Sequence, residues 1–236
     1  MTTEEGRVVS VAGQTTRELG GARSVLVRQR RDHAELDRLM ELYESGDGSP
    51  AQRRGRLKDI VQLTFSHAFA EEVVLWPVLR RLSADGEQLT SRVEEEHQEI
   101  NDLIAEMDRV GHEGRGHDEL VRRAFSLIRQ DIRDEEDVLL PRLQQSLSPR
   151  QLRRLGAVWE NVRRTAPTRP HPRVPRRPPG NAVLGVPLSA FDRARDLLPG
   201  GTRTPGARRA AVLGAALAGA CLLTLVVRRV VRRARG

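Results

Sequence analysis

The sequence predicts an all-α protein built on an up-down four-helix bundle, and three observations carry that expectation. Apolar residues recur at helical spacing from about residue 23 to 164, interrupted by short glycine- and proline-bearing turns. Aromatic residues make up 3% of the chain, which disfavours a β core and suits one rich in Ala, Leu and Val. Within the helical stretch the chain also matches itself at an offset of 64 residues, so two similar helical hairpins follow one another.

The first helix is expected over residues 22–43, with Val25, Leu26, Leu36, Leu39 and Met40 suiting one face. The turn Gly46-Asp47-Gly48-Ser49-Pro50 separates it from a second helix over 51–82, which contains Pro77. Asp85-Gly86 breaks the chain before a third helix over 89–110. Gly111, Gly114 and Gly116 lead to a fourth over 118–145, with Pro141 inside it. Ser148-Pro149 reads as an N-cap with proline at the first helical position, and opens an accessory helix ending near residue 165. The expected organisation is a flexible N-terminus (1–20), the bundle (21–147), the accessory helix (148–165), a Pro/Arg-rich linker (166–207) and a hydrophobic segment with a basic tail (208–236).

The repeat carries the candidate chemistry. At the 64-residue offset His33 maps onto His97, His67 onto Asp131, Glu71 onto Glu135 and Pro77 onto Pro141. Apolar neighbours follow, with Leu36 matching Ile100, Leu39 matching Leu103, and Leu75 matching Leu139. His67 and Glu71 are four residues apart and share one helix face, as do Asp131 and Glu135. Two hairpins packed about a pseudo-two-fold axis would therefore converge His33, His67, Glu71, His97, Asp131 and Glu135 on one central site. Imidazole and carboxylate donors suit iron, manganese or zinc, and one bridging carboxylate from each half suits two metals close together. A lone His-x-x-x-Glu is a weak signal, since most helical histidines are surface or satisfied core residues. Six ionisable groups among apolar positions are different, because burying them unpaired costs several kcal/mol each. His112, His117 and His171 fall in loop or linker stretches and are expected to face solvent.

These motifs resemble the hemerythrin-like HHE cation-binding family, as found in bacteria. The residues that carry the resemblance are Asp32-His33, the run from His67 through Glu71-Glu72 to Trp76-Pro77, Glu96-His97, and the run from Asp131 through Glu135-Glu136 to Leu140-Pro141. The resemblance spans about residues 23–147 and implies a four-helix bundle holding two non-haem iron atoms. It also implies binding or sensing of a small molecule such as oxygen, nitric oxide or peroxide. Two departures stand out. The family's fourth-helix histidine is Asp131 here, a harder, shorter and negatively charged donor. Oxygen carriers place a second histidine one turn after the third-helix one; that position is Asn101, which disfavours a simple reversible oxygen carrier.

Composition bounds the remainder. Residues 148–236 hold 19 arginines against Glu160, Asp192 and Asp196, a net +16, whereas the first 147 residues carry 21 basic and 29 acidic groups, a net −8. Lys58 is the sole lysine, an arginine bias more in keeping with GC-rich coding than with nucleic-acid binding, and no nucleic-acid partner is expected. Cys221 is the sole cysteine, so no intramolecular disulfide or thiolate cluster can form. Residues 1–20 lack the apolar core of a signal peptide. Residues 210–227 form an uncharged run of 18 flanked by arginines, about 27 Å long as a helix, which is expected to anchor the protein in a membrane. The bundle is then expected on the cytoplasmic side; the alternative is a C-terminal helix that packs on protein, leaving the chain cytoplasmic. Ala211, Ala215 and Gly219 share one face of that helix and would permit a homodimer through the tail. Three classes of function stay open on sequence: a di-iron protein that binds or senses a small molecule, a di-iron enzyme that degrades peroxide or reduces nitric oxide, and a metal-free helical scaffold tethered to the membrane. No catalytic residue is assigned.

Overall fold

A computed structural model describes residues 9–166, and among them five helices and no strand are found. We number them α1 (Val25–Glu44), α2 (residues 50–82), α3 (Gly86–Val110), α4 (residues 117–146) and α5 (Pro149–Arg164). The expected elements are all present, with starts displaced by up to three residues. Ser24, Ser49 and Ser148 cap α1, α2 and α5 with their hydroxyl oxygens. At α2 and α5 the cap is reciprocal, because Gln52 and Gln151 reach back to the cap backbone, and Pro50 and Pro149 occupy the first helical position. Gly111 closes α3 at φ +74°, a conformation that side-chain-bearing residues rarely adopt.

α1 with α2, and α3 with α4, form the two main hairpins. Each bundle helix turns one face inward, and the interior separates into two apolar clusters. One contains Leu36, Met40, Ile60, Ile100, Phe125 and Ile128. The other contains Val25, Leu26, Leu75, Trp76, Val93 and Leu139. His33, His67, His97 and Glu135 fall between them along their helices, so the polar layer is sealed by apolar side chains above and below.

α2 and α4 are each interrupted by one wide π-helical turn, Glu71–Leu75 and Glu135–Leu139, again 64 residues apart. The cause is the proline that follows. Pro77 and Pro141 have no N–H and would clash with the carbonyl four residues back in a regular helix, so the backbone widens ahead of them. Trp76 N–H then bonds to Glu71 O, and Leu140 N–H to Glu135 O, each five residues back. In α4 this leaves the carbonyl of Glu136, whose partner in the wide ladder would be Pro141, without a helical donor. Val11 N–H at 2.9 Å and the Ser10 hydroxyl at 3.2 Å donate to it instead.

That contact corrects one expectation. Residues 9–20, assigned from sequence to a flexible N-terminus, lie against the bundle, with Val11 and Leu19 fully buried. A polar terminus gives no periodic signal, and the Glu136 carbonyl is one of several partners that hold it, beside Gln144, Arg30 and Arg153. The accessory helix α5 packs on α1, α2 and the first π turn. Among the described residues no helix is long and apolar enough to cross a membrane; the expected linker beyond residue 166, His171 and the hydrophobic segment over 208–236 lie outside them.

Candidate metal centre

The six residues singled out by the repeat converge. His33 and His67 present their Nε2 atoms 3.1 Å apart. His33 Nε2 is also 3.1 Å from Glu135 Oε2, and His67 Nε2 is 3.1 Å from Glu71 Oε1. On the other side His97 Nε2 lies 3.4 Å from Asp131 Oδ2, 3.7 Å from Glu71 Oε2 and 3.9 Å from Glu135 Oε1. Two donor groups result, His33–His67–Glu71–Glu135 and His97–Asp131–Glu135, each with its donor atoms within 4.8 Å of one another. Glu135 belongs to both.

All six side chains are buried, and Glu71 and Glu135 have no exposed surface. Both carboxylate oxygens of Glu71, both of Glu135 and Oδ1 of Asp131 lack a hydrogen-bond partner of acceptable geometry. Buried acceptors facing one another in this way are costly unless a cation lies between them. The donor set therefore fits metal ions, with Glu135 shared between the two groups and Glu71 Oε2 3.7 Å from His97 Nε2.

Electrostatics agree. Burial pushes the Glu71 carboxyl up to about 7, with the neighbouring Glu135 charge adding to the shift. Burial also raises Asp131. Burial opposes the charge of Glu135, but His33 and His67 outweigh it and hold its carboxyl far below the usual carboxylate range. For His33 burial disfavours protonation, yet Glu135 and Glu136 raise it to about 9. Metal binding at these imidazoles and carboxylates would compete with protons.

Three carboxylates that the sequence reading left unassigned hold the far side of the imidazoles. His33 Nδ1 is 2.7 Å from Glu136 Oε1, His97 Nδ1 is 2.9 Å from Glu72 Oε1, and His67 Nδ1 is 3.5 Å from Asp32 Oδ2. The Glu136 and Glu72 contacts are hydrogen bonds that occupy Nδ1 and leave Nε2 facing the centre, whereas Asp32 and His67 make an ion-pair contact without hydrogen-bond geometry. Glu136 belongs to the second hairpin and serves the first; Glu72 does the reverse. The signal for them was present in sequence, since Glu71-Glu72 and Glu135-Glu136 repeat at the same offset. A regular helix, however, would turn the second glutamate about 100° away from the first. The π turns draw both of each pair toward the site.

Other expectations fare differently. Asn101, at the position of the extra histidine of oxygen carriers, is buried, and its Oδ1 has no hydrogen-bond partner. His112 is exposed, as expected of a loop. His117 corrects the reading that it faces solvent: it is the first residue of α4, is 4% exposed, and sets its ring against His112 at 5.2 Å between centroids. Neither belongs to the centre.

Comparison with known proteins agrees with the geometry. The family model of the hemerythrin HHE cation binding domain matches residues 25–143. An uncharacterized hemerythrin-like protein of Schizosaccharomyces pombe is 21% identical over 169 residues, covering 71% of this chain and 83% of that protein. No solved structure matches. The matched segment runs from the start of α1 to the last turn of α4 and contains all six converging residues, and the chain belongs to the hemerythrin HHE cation-binding domain family.

Proposed function

We propose that this chain is a non-haem di-iron protein that binds or senses a small molecule such as oxygen, nitric oxide or peroxide. The observation that carries the reading is the pair of buried donor groups joined through Glu135. His33 and His67 would hold one ion, His97 and Asp131 the other, with Glu71 and Glu135 between them. Nitrogen and carboxylate donors without thiolate favour iron, with manganese or zinc as alternatives. When bound, a pair of iron ions supplies electrons and a coordination position for a small molecule. The chain's own contribution is to orient three imidazoles through Glu136, Glu72 and Asp32, and to keep water out with the two apolar clusters. Elemental analysis of protein purified without oxygen should give about two iron atoms per chain. Glu135→Ala should remove most of the metal and His112→Ala none. Protein free of metal after exposure to ferrous iron would sink the reading.

We also propose that residues 208–236 tether the bundle to a membrane, on the strength of the arginine-flanked apolar run. Removing residues 207–236 should move the protein from the membrane fraction to the soluble one without loss of metal. A full-length protein found wholly in the soluble fraction would exclude the tether.

A further inference from the structure

The two halves of the centre match closely in their donors but not in what surrounds them. His33 and His97 are each held by a glutamate from the opposite hairpin, an arrangement the 64-residue repeat makes symmetric. His67 is held by Asp32, and Asp32 is in turn approached by Arg163 of α5, Nη1 to Oδ2 3.4 Å. Trp159 of α5, fully buried, sets its ring edge-on to the His67 imidazole at 5.6 Å between centroids. The Arg163 guanidinium lies over the same indole at 5.5 Å. Two features fix α5 there. Arg28 of α1 pairs with Glu160 at 2.6 Å, and Gly156 brings the α5 backbone against the start of α1.

Among the described residues nothing equivalent covers the other side. The counterpart of Asp32 is Glu96, 64 residues on, and that of His67 is Asp131. Glu96 is paired with Arg92 of its own helix at 3.1 Å, and the Arg92 side chain is 66% exposed. The Arg163 side chain, by contrast, is 22% exposed. α5 packs on α1, α2 and the first π turn, and its Arg163 and Trp159 side chains meet Asp32 and His67 of the His33–His67 half.

We infer that α5 is a positioning element for one metal of the pair: Arg163, through Asp32, fixes the His67 ring and thereby sets the affinity of the His33–His67 position, while the His97–Asp131 position is independent of it. The physical reason is that the buried Asp32 carboxylate lies between the His67 ring and the Arg163 guanidinium, with Oδ2 3.5 Å from His67 Nδ1 and 3.4 Å from Arg163 Nη1. Arg163 supplies both the opposing charge and the direction. This inference rests on the metal-binding reading above.

The test uses the full-length chain, titrated without oxygen with ferrous iron against a competing chelator, and with cobalt(II) followed by its visible spectrum. Wild type should fill two positions. Arg163→Gln should weaken one about 10-fold or more, leave the other unchanged, and alter the cobalt spectrum of the weakened position alone. Arg163→Lys should restore most of the affinity, and Arg92→Gln should change neither position. Asp32→Asn should reproduce the split by removing the middle group. Unchanged affinities at both positions in Arg163→Gln, or an equal loss at both, would overturn the inference while leaving the metal centre standing. Failure of the wild-type chain to bind metal would overturn both.

Discussion

Glu135 approaches all three histidines of the centre, at 3.1 Å from His33, 3.8 Å from His67 and 3.9 Å from His97. Residues of this kind were legible in the sequence because a ligand must recur wherever the fold recurs, and a fixed offset exposes the recurrence. Residues acting one step away were not legible, since a carboxylate beside a histidine is ordinary on a solvated helix face. Glu160 is another such residue. Burial raises its carboxyl, but the guanidiniums of Arg163, Arg164 and Arg28 outweigh that and hold it below the usual carboxylate range. A depressed value stabilises the fold above the unfolded carboxylate pKa of about 4.3, and this stabilisation is lost as pH falls through the folded value. Glu160→Gln should therefore lower the melting temperature at pH 7 by about 2–4 °C. The gap should narrow as the pH falls below the unfolded carboxylate value toward pH 3. Melting curves of the two proteins at both pH values check this, and a gap of equal size at pH 3 would mean that packing, not charge, holds Glu160.

At the scale of elements, caps and punctuation carried most of the information. Ser148-Pro149 marked the start of α5 from sequence alone, and the glycines after α3 marked its end. The π turns were not legible in advance, because a proline inside a helical pattern predicts a disturbance without saying which kind. The seat of α5 was also hidden, although Gly156 betrays it in hindsight. A Cβ at Gly156 would lie 2.5 Å from Arg23 O and 2.8 Å from Val25 N, both backbone atoms that cannot turn aside. Gly55, exposed on α2, meets nothing within 4 Å. The same substitution should thus have opposite signs at the two positions. Gly156→Ala should cost about 1–3 kcal/mol by forcing α5 away from α1. Gly55→Ala should add about 0.5–1 kcal/mol through helix propensity. Urea denaturation of both variants measures the difference, and a stabilised Gly156→Ala would show that the close approach is relaxed in solution.

For the molecule as a whole, the four-helix plan followed from periodicity and the repeat, while the ordering of residues 9–20 depended on contacts that no sequence pattern displays. The largest consequence comes from the exchange of carboxylates between hairpins. Glu72 serves His97 and Glu136 serves His33, so neither hairpin owns a finished half of the centre. Severing the chain in the short link between α2 and α3, between Ala84 and Asp85, would leave one piece with His33, His67 and Glu71 and another with His97, Asp131 and Glu135. Each piece alone should bind ferrous iron weakly, because His33 is parted from Glu136 and His97 from Glu72. Mixed in equal amounts, the pieces should recover two metals per pair with an affinity that depends on fragment concentration. Metal uptake is then a report on assembly, and a centre divided in this manner would make the loaded protein resist separation of its two halves more strongly than the empty one.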